Sequence, residues 1–382
     1  MLKLNYTYRI DPDAQQTSKL NDWLETCRKS YNYALLELKD WIGSRKCAAD
    51  RCSLVSEYVM AANYPFPGYQ QQQNNLPKAK KEYPELGDVP SQVLQTNIRR
   101  LHDAWDFFLH RGYGFPRFKK YGQLKSILFP QFKSNPLTGW QIKLPKLGKV
   151  QINLHRPIPD GFTIKQVRVV KKASRWFAIV NIQSDISIRD PIPQGRCIGL
   201  DVGLLSYCAT SDGFIEPGRK FFKTLHRRLK VLQRRLSKKK RSAPREESFE
   251  LGRTKYKRSN NYEKARLKVE KQHNHIAAVR KDYQFKLAHK LCDMADTLFI
   301  EDIDYRIMGK GFLGKHTIDA AFGQFRSILK YVAKRRGVFV EEVDHRGSSQ
   351  TCPNCRIEVR KELEERVHKC PECHYQVDRD IA

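Results

Sequence analysis

The spacing of apolar residues switches between a strand period and a helical period along the chain, and each switch predicts an element. Leu4, Tyr6, Tyr8 and Ile10 alternate, so residues 3–10 read as a strand. Asp11-Pro12-Asp13 turns the chain into a helix on which Leu20, Leu24, Cys27, Tyr31, Ala34 and Leu35 recur, with Gly43 as the expected stop. Residues 44–90 are rich in Gln, Asn, Pro and Lys and predict short helices and loops. From Ser91 a second helix carries Val93, Leu94, Ile98, Leu101, Ala104, Trp105 and Phe108 on one face and ends at Gly112. Gln95, Arg99, Arg100 and His102 fall on its opposite, outward face. After Gly114 the period returns to two: Ile142–Val150, Lys165–Lys172 and Trp176–Gln183 alternate between Pro and Gly turns. These strands predict a small β-barrel that closes with the N-terminal strand and is interrupted by a helical insertion.

Asp190-Pro191-Ile192-Pro193 is a linker. Beyond it Ile198-Gly199-Leu200 runs into Asp201, and an apolar run from Leu204 to Thr210 follows before the turn at Ser211-Asp212-Gly213. The pattern predicts a hairpin with one carboxylate on its first strand. In Arg219–Arg241, Leu225, Leu229, Leu232 and Leu236 form a narrow seam on a helix otherwise covered in Arg and Lys. A break at Ser242–Ser248 precedes a long helix from about Asn260, faced by Ala265, Val269, Ile276, Val279, Tyr283 and Leu287. The two helices predict a hairpin whose outer charge faces nucleic acid. Leu298–Ile303 is another strand running into acid, Arg306–His316 a loop, Ile318–Arg336 a helix closed by Gly337, and Val338–Val340 with Val343 a last strand. Taken together the chain is multidomain α+β, its second half an α/β layout in which acids gather at one sheet edge.

Charge narrows the function. Seventy-one Lys and Arg against 41 Asp and Glu give a formal charge of +30, spread over the whole length. A polyanion neutralises such self-repulsion. No run approaches the roughly 18 apolar residues that span a bilayer, and the start MLKLNYTYRI has no signal-peptide pattern. A cytoplasmic protein with no membrane partner is expected.

Candidate chemistry falls on two residue classes. A carboxylate ending an apolar strand is costly unless paired, and a divalent cation shared with other acids is the usual remedy. Asp201, Glu301 and the closing Asp378-Arg379-Asp380 suit a two-metal phosphodiester-cleaving centre. Of 10 cysteines, six are scattered. The other four, Cys352-Pro-Asn-Cys355 and Cys370-Pro-Glu-Cys373, stand fourteen residues apart. That spacing suits tetrahedral Zn²⁺ on two knuckle turns, a structural site without an open position. The stretch between is too polar for a core, so metal holds the module together. His374 reads as a surface residue. Aromatics and cations interleave in Gly114–Lys120, a composition for phosphate contact and base stacking.

GLDVGL, FIED, CPNC…CPEC and DRD, in this order, resemble the TnpB family of transposon-encoded, RNA-guided DNA endonucleases, relatives of the type V CRISPR effectors. Arg28, Tyr31-Asn32, Pro116–Lys119, LPKLG at 144–148, Lys264-Ala265-Arg266 and Ser348-Ser349-Gln350 look like further family landmarks. The resemblance implies a wedge β-barrel from 1–12 and 114–190 and a helical recognition domain at 13–113. It implies an RNase H-like RuvC nuclease domain at 191–382, containing a basic helical hairpin at 219–292 and an inserted zinc ribbon at 346–376. It makes Asp201, Glu301 and Asp380 the acids that hold two catalytic Mg²⁺ ions, with Asp378 a helix-capping or supporting group. It implies guide RNA and double-stranded DNA as partners of a monomer acting at the nucleoid. Gln95 becomes an adenine-pairing reader of a short target-adjacent motif. Arg99, Arg117, Lys119, Arg227, Arg228, Arg234 and Arg235 become nucleic-acid contacts. The alternatives are a nuclease-silent guided repressor, a small type V effector and a strand-transferring transposase. Two departures stand out. Arg356 replaces the Gly that commonly follows the second cysteine, where the turn wants a positive φ. The family continues past the last acid into an Asn-Ala-Ala helix, whereas this sequence stops at Ala382.

Overall fold

A computed structural model describes residues 1–46, 63–218, 221–241, 245–246, 255–256, 259–311, 314–344, 350–359 and 367–378. The chain divides into two compact units, Met1–Ser187 and Ile188–Ala382.

The first unit is built on the strand that opens the chain. β1 (Leu2–Asp11) alternates buried and exposed positions, with Leu4, Tyr6, Tyr8 and Ile10 inward. It pairs antiparallel along its length with β7 (Arg175–Ser184), and its last residues pair with β5 (Gly148–Asn153). With β2 (Ser126–Phe129), β3 (Leu137–Thr138), β4 (Gln141–Leu144) and β6 (Thr163–Lys172) the described residues make one seven-stranded sheet, ordered β2-β6-β7-β1-β5-β4-β3. The strand pattern predicts closure, but the ladder ends at β2 and β3, which do not pair with each other among the described residues. The sheet is an open half-barrel because helices, not opposing strands, fill its apolar face. Leu20, Trp23, Leu24 and Cys27 of α1 (Ala14–Lys46) join that core, with Val93, Leu94 and Ile98 of a later helix.

Gly43 does not stop α1. The helix continues to Lys46, because Trp41 Nε1 and the Arg45 guanidinium both donate to the Tyr64 carbonyl, at 3.0 and 2.9 Å. Three short helices follow: α2 (Tyr69–Asn74), α3 (Leu76–Glu82) and α4 (Pro84–Asp88). α5 (Ser91–Arg111) ends at Gly112, whose φ of 64° closes the helix in the left-handed conformation glycine allows.

The second unit holds a five-stranded sheet ordered β10-β9-β8-β13-β14. β8 (Cys197–Asp201), β9 (Ser206–Thr210) and β10 (Ile215–Pro217) run antiparallel. β13 (Thr297–Glu301) lies parallel to both β8 and β14 (Phe339–Val343). Between them in sequence come α6 (Phe221–Arg241), the two-residue pair β11 (Arg245–Glu246) and β12 (Lys255–Tyr256), and α7 (Asn260–Met294). Leu229 of the α6 seam is buried and Leu225, Leu232 and Leu236 are half-buried.

On α7 the inward stripe is Ile276, Tyr283, Gln284 and Leu287, while Val279, expected inside, is exposed. The stripe is shifted because Gln284 takes a core position. Its Nε2 donates to the Tyr207 hydroxyl at 2.9 Å and to the carbonyls of Ala320 and Ala321 at 3.2 Å. The same contacts explain why the expected loop and helix after Glu301 are cut differently. α8 (Tyr305–Met308), α9 (Gly314–Ala320) and α10 (Phe322–Arg336) occupy that stretch, and the last two are separated at Ala321. Ala321 has a φ of 52°, a left-handed conformation that alanine adopts only under constraint. The Tyr207 hydroxyl also donates to the Ala320 carbonyl at 3.1 Å, so the bend keeps its backbone satisfied. Phe322, Phe325 and Leu329 of α10 pack with Leu287 and Leu291 of α7 on Ile198, Leu200, Leu298 and Ile300. β15 (Val367–Lys369) and β16 (Gln376–Asp378) form a separate antiparallel pair.

Candidate functional site

Leu200 and Ile300 are partners across the parallel β8–β13 ladder. Asp201 and Glu301 are the next residue on each strand. The two backbones are therefore about 4.8 Å apart, and in-register side chains on parallel strands project to the same face. Both acids are half-buried. The hairpin that presents Asp201 is locked locally: Gly199 N–H donates to Ser211 Oγ and Ser211 N–H to the Gly199 carbonyl, each at 3.0 Å.

Two other acids near the pair, Asp302 and Glu342, are held in ion pairs. Arg326 of α10 pairs with Asp302 at 3.0 Å and Glu342 at 3.1 Å, and Lys330 holds Glu342 at 2.8 Å. Arg326 also lies 5.3 Å from the centre of the Tyr305 ring. The Tyr305 hydroxyl is pushed up to about 12, first by burial and then by Glu301, Asp201 and Glu342, with Arg326 acting the other way. One phenol thus feels both carboxylates and stays protonated at neutral pH. Tyr305 and Arg326 carry no sequence signal; only the packing of α8 and α10 brings them to this edge. Asp380 lies outside the described residues. Asp378 is exposed at the end of β16, opposite Val367.

The four cysteines converge. One ligand atom from each of Cys352, Cys355, Cys370 and Cys373 lies within 4.8 Å of the others. Two turns of the same form build the cluster: the Cys352 N–H donates to the Ile357 carbonyl while the Cys352 carbonyl accepts from the Arg356 N–H, and Cys370 does the same with Tyr375 and His374. Arg356 and His374 adopt φ of 62° and 56°, the left-handed conformation the turn demands at both sites. His374 is exposed. The Cys373 thiol is drawn down to about 6, chiefly by the Asn354 side chain and then by the Tyr375 backbone. The donor set and its spacing fit a tetrahedral thiolate-binding ion.

The expected nucleic-acid contacts are distributed over separate places. Gln95 is half-buried on α5, and Arg99 is exposed with its guanidinium 4.2 Å from the Tyr69 ring. Arg100 and His102, expected to face outward, do not. Arg100 donates to Ser126 Oγ at 3.1 Å, and burial depresses its pKa. His102 is buried with Nε2 2.9 Å from Gln72 Oε1. Arg117 is exposed; Lys119 is half-buried, with its ammonium 5.4 Å from the Tyr31 ring. Asn32 clamps the Lys119 backbone on both sides, at 2.8 and 2.9 Å, and Arg28 adds a bond to its carbonyl at 3.1 Å. Arg227, Arg228, Arg234 and Arg235 are all exposed on α6. The first two and Arg235 line a groove of about 920 Å³ against α7; Arg234 is not part of the lining.

Three family descriptions match in chain order: a helix-turn-helix domain at residues 1–47, a probable transposase (OrfB_IS605) at 179–310, and the TNB domain of Cas12f1-like proteins at 322–382. An Escherichia coli K12 protein named "Putative RNA-guided DNA endonuclease InsQ" is 28% identical over 315 residues, covering 78% of this chain and 73% of that protein. A Streptomyces pristinaespiralis protein named "Putative RNA-guided DNA endonuclease" is 28% identical over 390 residues, covering 100% and 87%. These matches agree with the resemblance to the TnpB family. In this chain residues 1–46 are not a helix-turn-helix: they are β1 followed by the single helix α1. A solved structure titled as the mini-RNA-guided endonuclease CRISPR-Cas_phi3 covers 100% of the chain and 91% of its own, at 9% identity and a TM-score of 0.41, a superposition too loose to carry an argument. No described helix is long and apolar enough to cross a membrane.

Proposed function

We propose that this protein is an RNA-guided DNA endonuclease that binds a guide RNA derived from its own transposon end and cuts DNA beside a short adjacent motif. The observation that carries the reading is the placement of Asp201 and Glu301 on neighbouring parallel strands of a chain whose relatives bear that name. Three carboxylates on separate elements of an RNase H-like sheet are the family's metal-binding set, and Asp380 is proposed as the third. Asp201 and Glu301 offer oxygen ligands to hard cations, so Mg²⁺ is the fitting ion. When bound, divalent cations at this edge supply a Lewis acid for water activation and for the leaving oxygen. The chain's own residues set the stage: the hairpin fixes Asp201, Arg326 keeps Asp302 and Glu342 occupied, and the protonated Tyr305 hydroxyl can donate a hydrogen bond toward a phosphate oxygen. The cysteine cluster is assigned to structural Zn²⁺. Guide pairing selects the sequence, while Gln95 and Arg99 of α5 face the adjacent motif, and Arg117 and Lys119 contact backbone. The protein is placed in a prokaryotic cytoplasm as a monomer on its RNA.

The test is reprogramming. RNA that co-purifies with the full chain is sequenced, its guide portion is replaced, and cleavage of two duplex targets is mapped. Cutting should move to the target that matches the new guide. Cutting that ignores the guide rejects RNA guidance.

A further inference from the structure

The groove between α6 and α7 has a property that charge alone does not supply. Arg227, Arg228, Arg235, Lys268 and Lys271 line it, and none of its described lining residues is acidic. The pocket of about 580 Å³ in the first unit, by contrast, mixes Lys29 and Lys78 with Glu37, Glu82 and Glu85. At the base of the α6–α7 groove sits Gln272, 6% exposed, whose Nε2 has no hydrogen-bond partner. A buried amide donor without an acceptor is costly and calls for a partner. The described lining holds no Phe, Tyr or Trp, and His275 is its single ring. Five cations around one buried amide suit a sugar–phosphate edge. From Arg227 to Arg235 the helix rises about 12 Å, so the cations extend along the groove.

We propose that this groove holds the backbone of an RNA strand, with Gln272 turning its amide to donate to a ribose 2′-hydroxyl. The cations take the phosphates at the groove's rim. The donor lies deeper, where the sugar edge reaches, and the 2′-hydroxyl is the acceptor that RNA has and DNA lacks. This rests on the nucleic-acid reading of the protein but not on cleavage.

The full chain, stripped of bound RNA, is titrated with a mixed-sequence RNA oligonucleotide and its all-DNA counterpart over a range of salt. Lys271→Gln and Arg235→Gln are exposed changes that keep the fold. Each should weaken RNA binding for every sequence and lower the salt slope by about 0.7. Gln272→Met should leave DNA affinity unchanged and cut the preference for RNA about five-fold, the worth of roughly one hydrogen bond. RNA preference untouched by Gln272→Met, or salt slopes untouched by the two charge variants, overturns the proposal. A chain that binds RNA this way but cuts nothing refutes the nuclease reading and leaves the groove standing.

Discussion

Arg356 occupies a backbone position that a side chain resists, and the cost can be worked out. Its φ is 62°, and its N–H reaches the Cys352 carbonyl at 2.9 Å to close the first cysteine turn. An L-residue in that conformation costs about 1–2 kcal/mol. Replacing it with glycine removes the strain but returns about 0.4–1 kcal/mol of freedom to the unfolded chain. The net gain is about 0.5–1 kcal/mol, or about two- to five-fold in Zn²⁺ affinity, because metal binding and folding of such a module are one event. Arg356→Ala is the matched control: it removes the same charge and keeps the strain. Competition against a chromogenic chelator at neutral pH should rank Arg356→Gly tighter than Arg356→Ala by that factor. Equal affinities, or tighter binding by the alanine variant, would refute the strain argument. His374→Gly, at the equivalent place in the second turn, should behave alike.

Gln284→Leu should destabilise the second unit by about 1–3 kcal/mol in chemical denaturation, because the Tyr207 hydroxyl and two carbonyls lose their shared donor; an unchanged midpoint would show that the bend at Ala321 stands without it. Burial lowers the pKa of His102 below its ordinary 6.5, so the folded protein resists a proton that the unfolded chain accepts. Stability is therefore fully present above about pH 6.5 and is lost as pH falls below it. His102→Gln should flatten that part of the melting-temperature profile, and a parallel profile would exclude His102 as the cause.

What could be read from residues alone was local chemistry. Asp201 and Glu301 were visible because each ends a short apolar run, and the cysteines because two knuckles have fixed spacing. The need for a positive φ at Arg356 was equally local. What escaped depended on contacts distant in the chain. Closure of the first sheet hinged on α1 and α5 filling its face, which strand spacing does not register. Arg100 and His102 looked solvent-facing because their partners, Ser126 and Gln72, lie some thirty residues away. The bend at Ala321 follows from Gln284 and Tyr207, on other elements. Tyr305 and Arg326 meet the acid pair only through the packing of two helices.

Cleavage by single-carboxylate variants bears most directly on the acid pair. The full chain with its guide RNA is given a matched duplex in Mg²⁺, and parent, Asp201→Ala and Glu301→Ala are compared for cutting and for RNA and DNA retention. Both variants should keep the nucleic acids and lose cleavage by several orders of magnitude. Cutting at the parent rate by either one would contradict a metal centre built on these two strand ends.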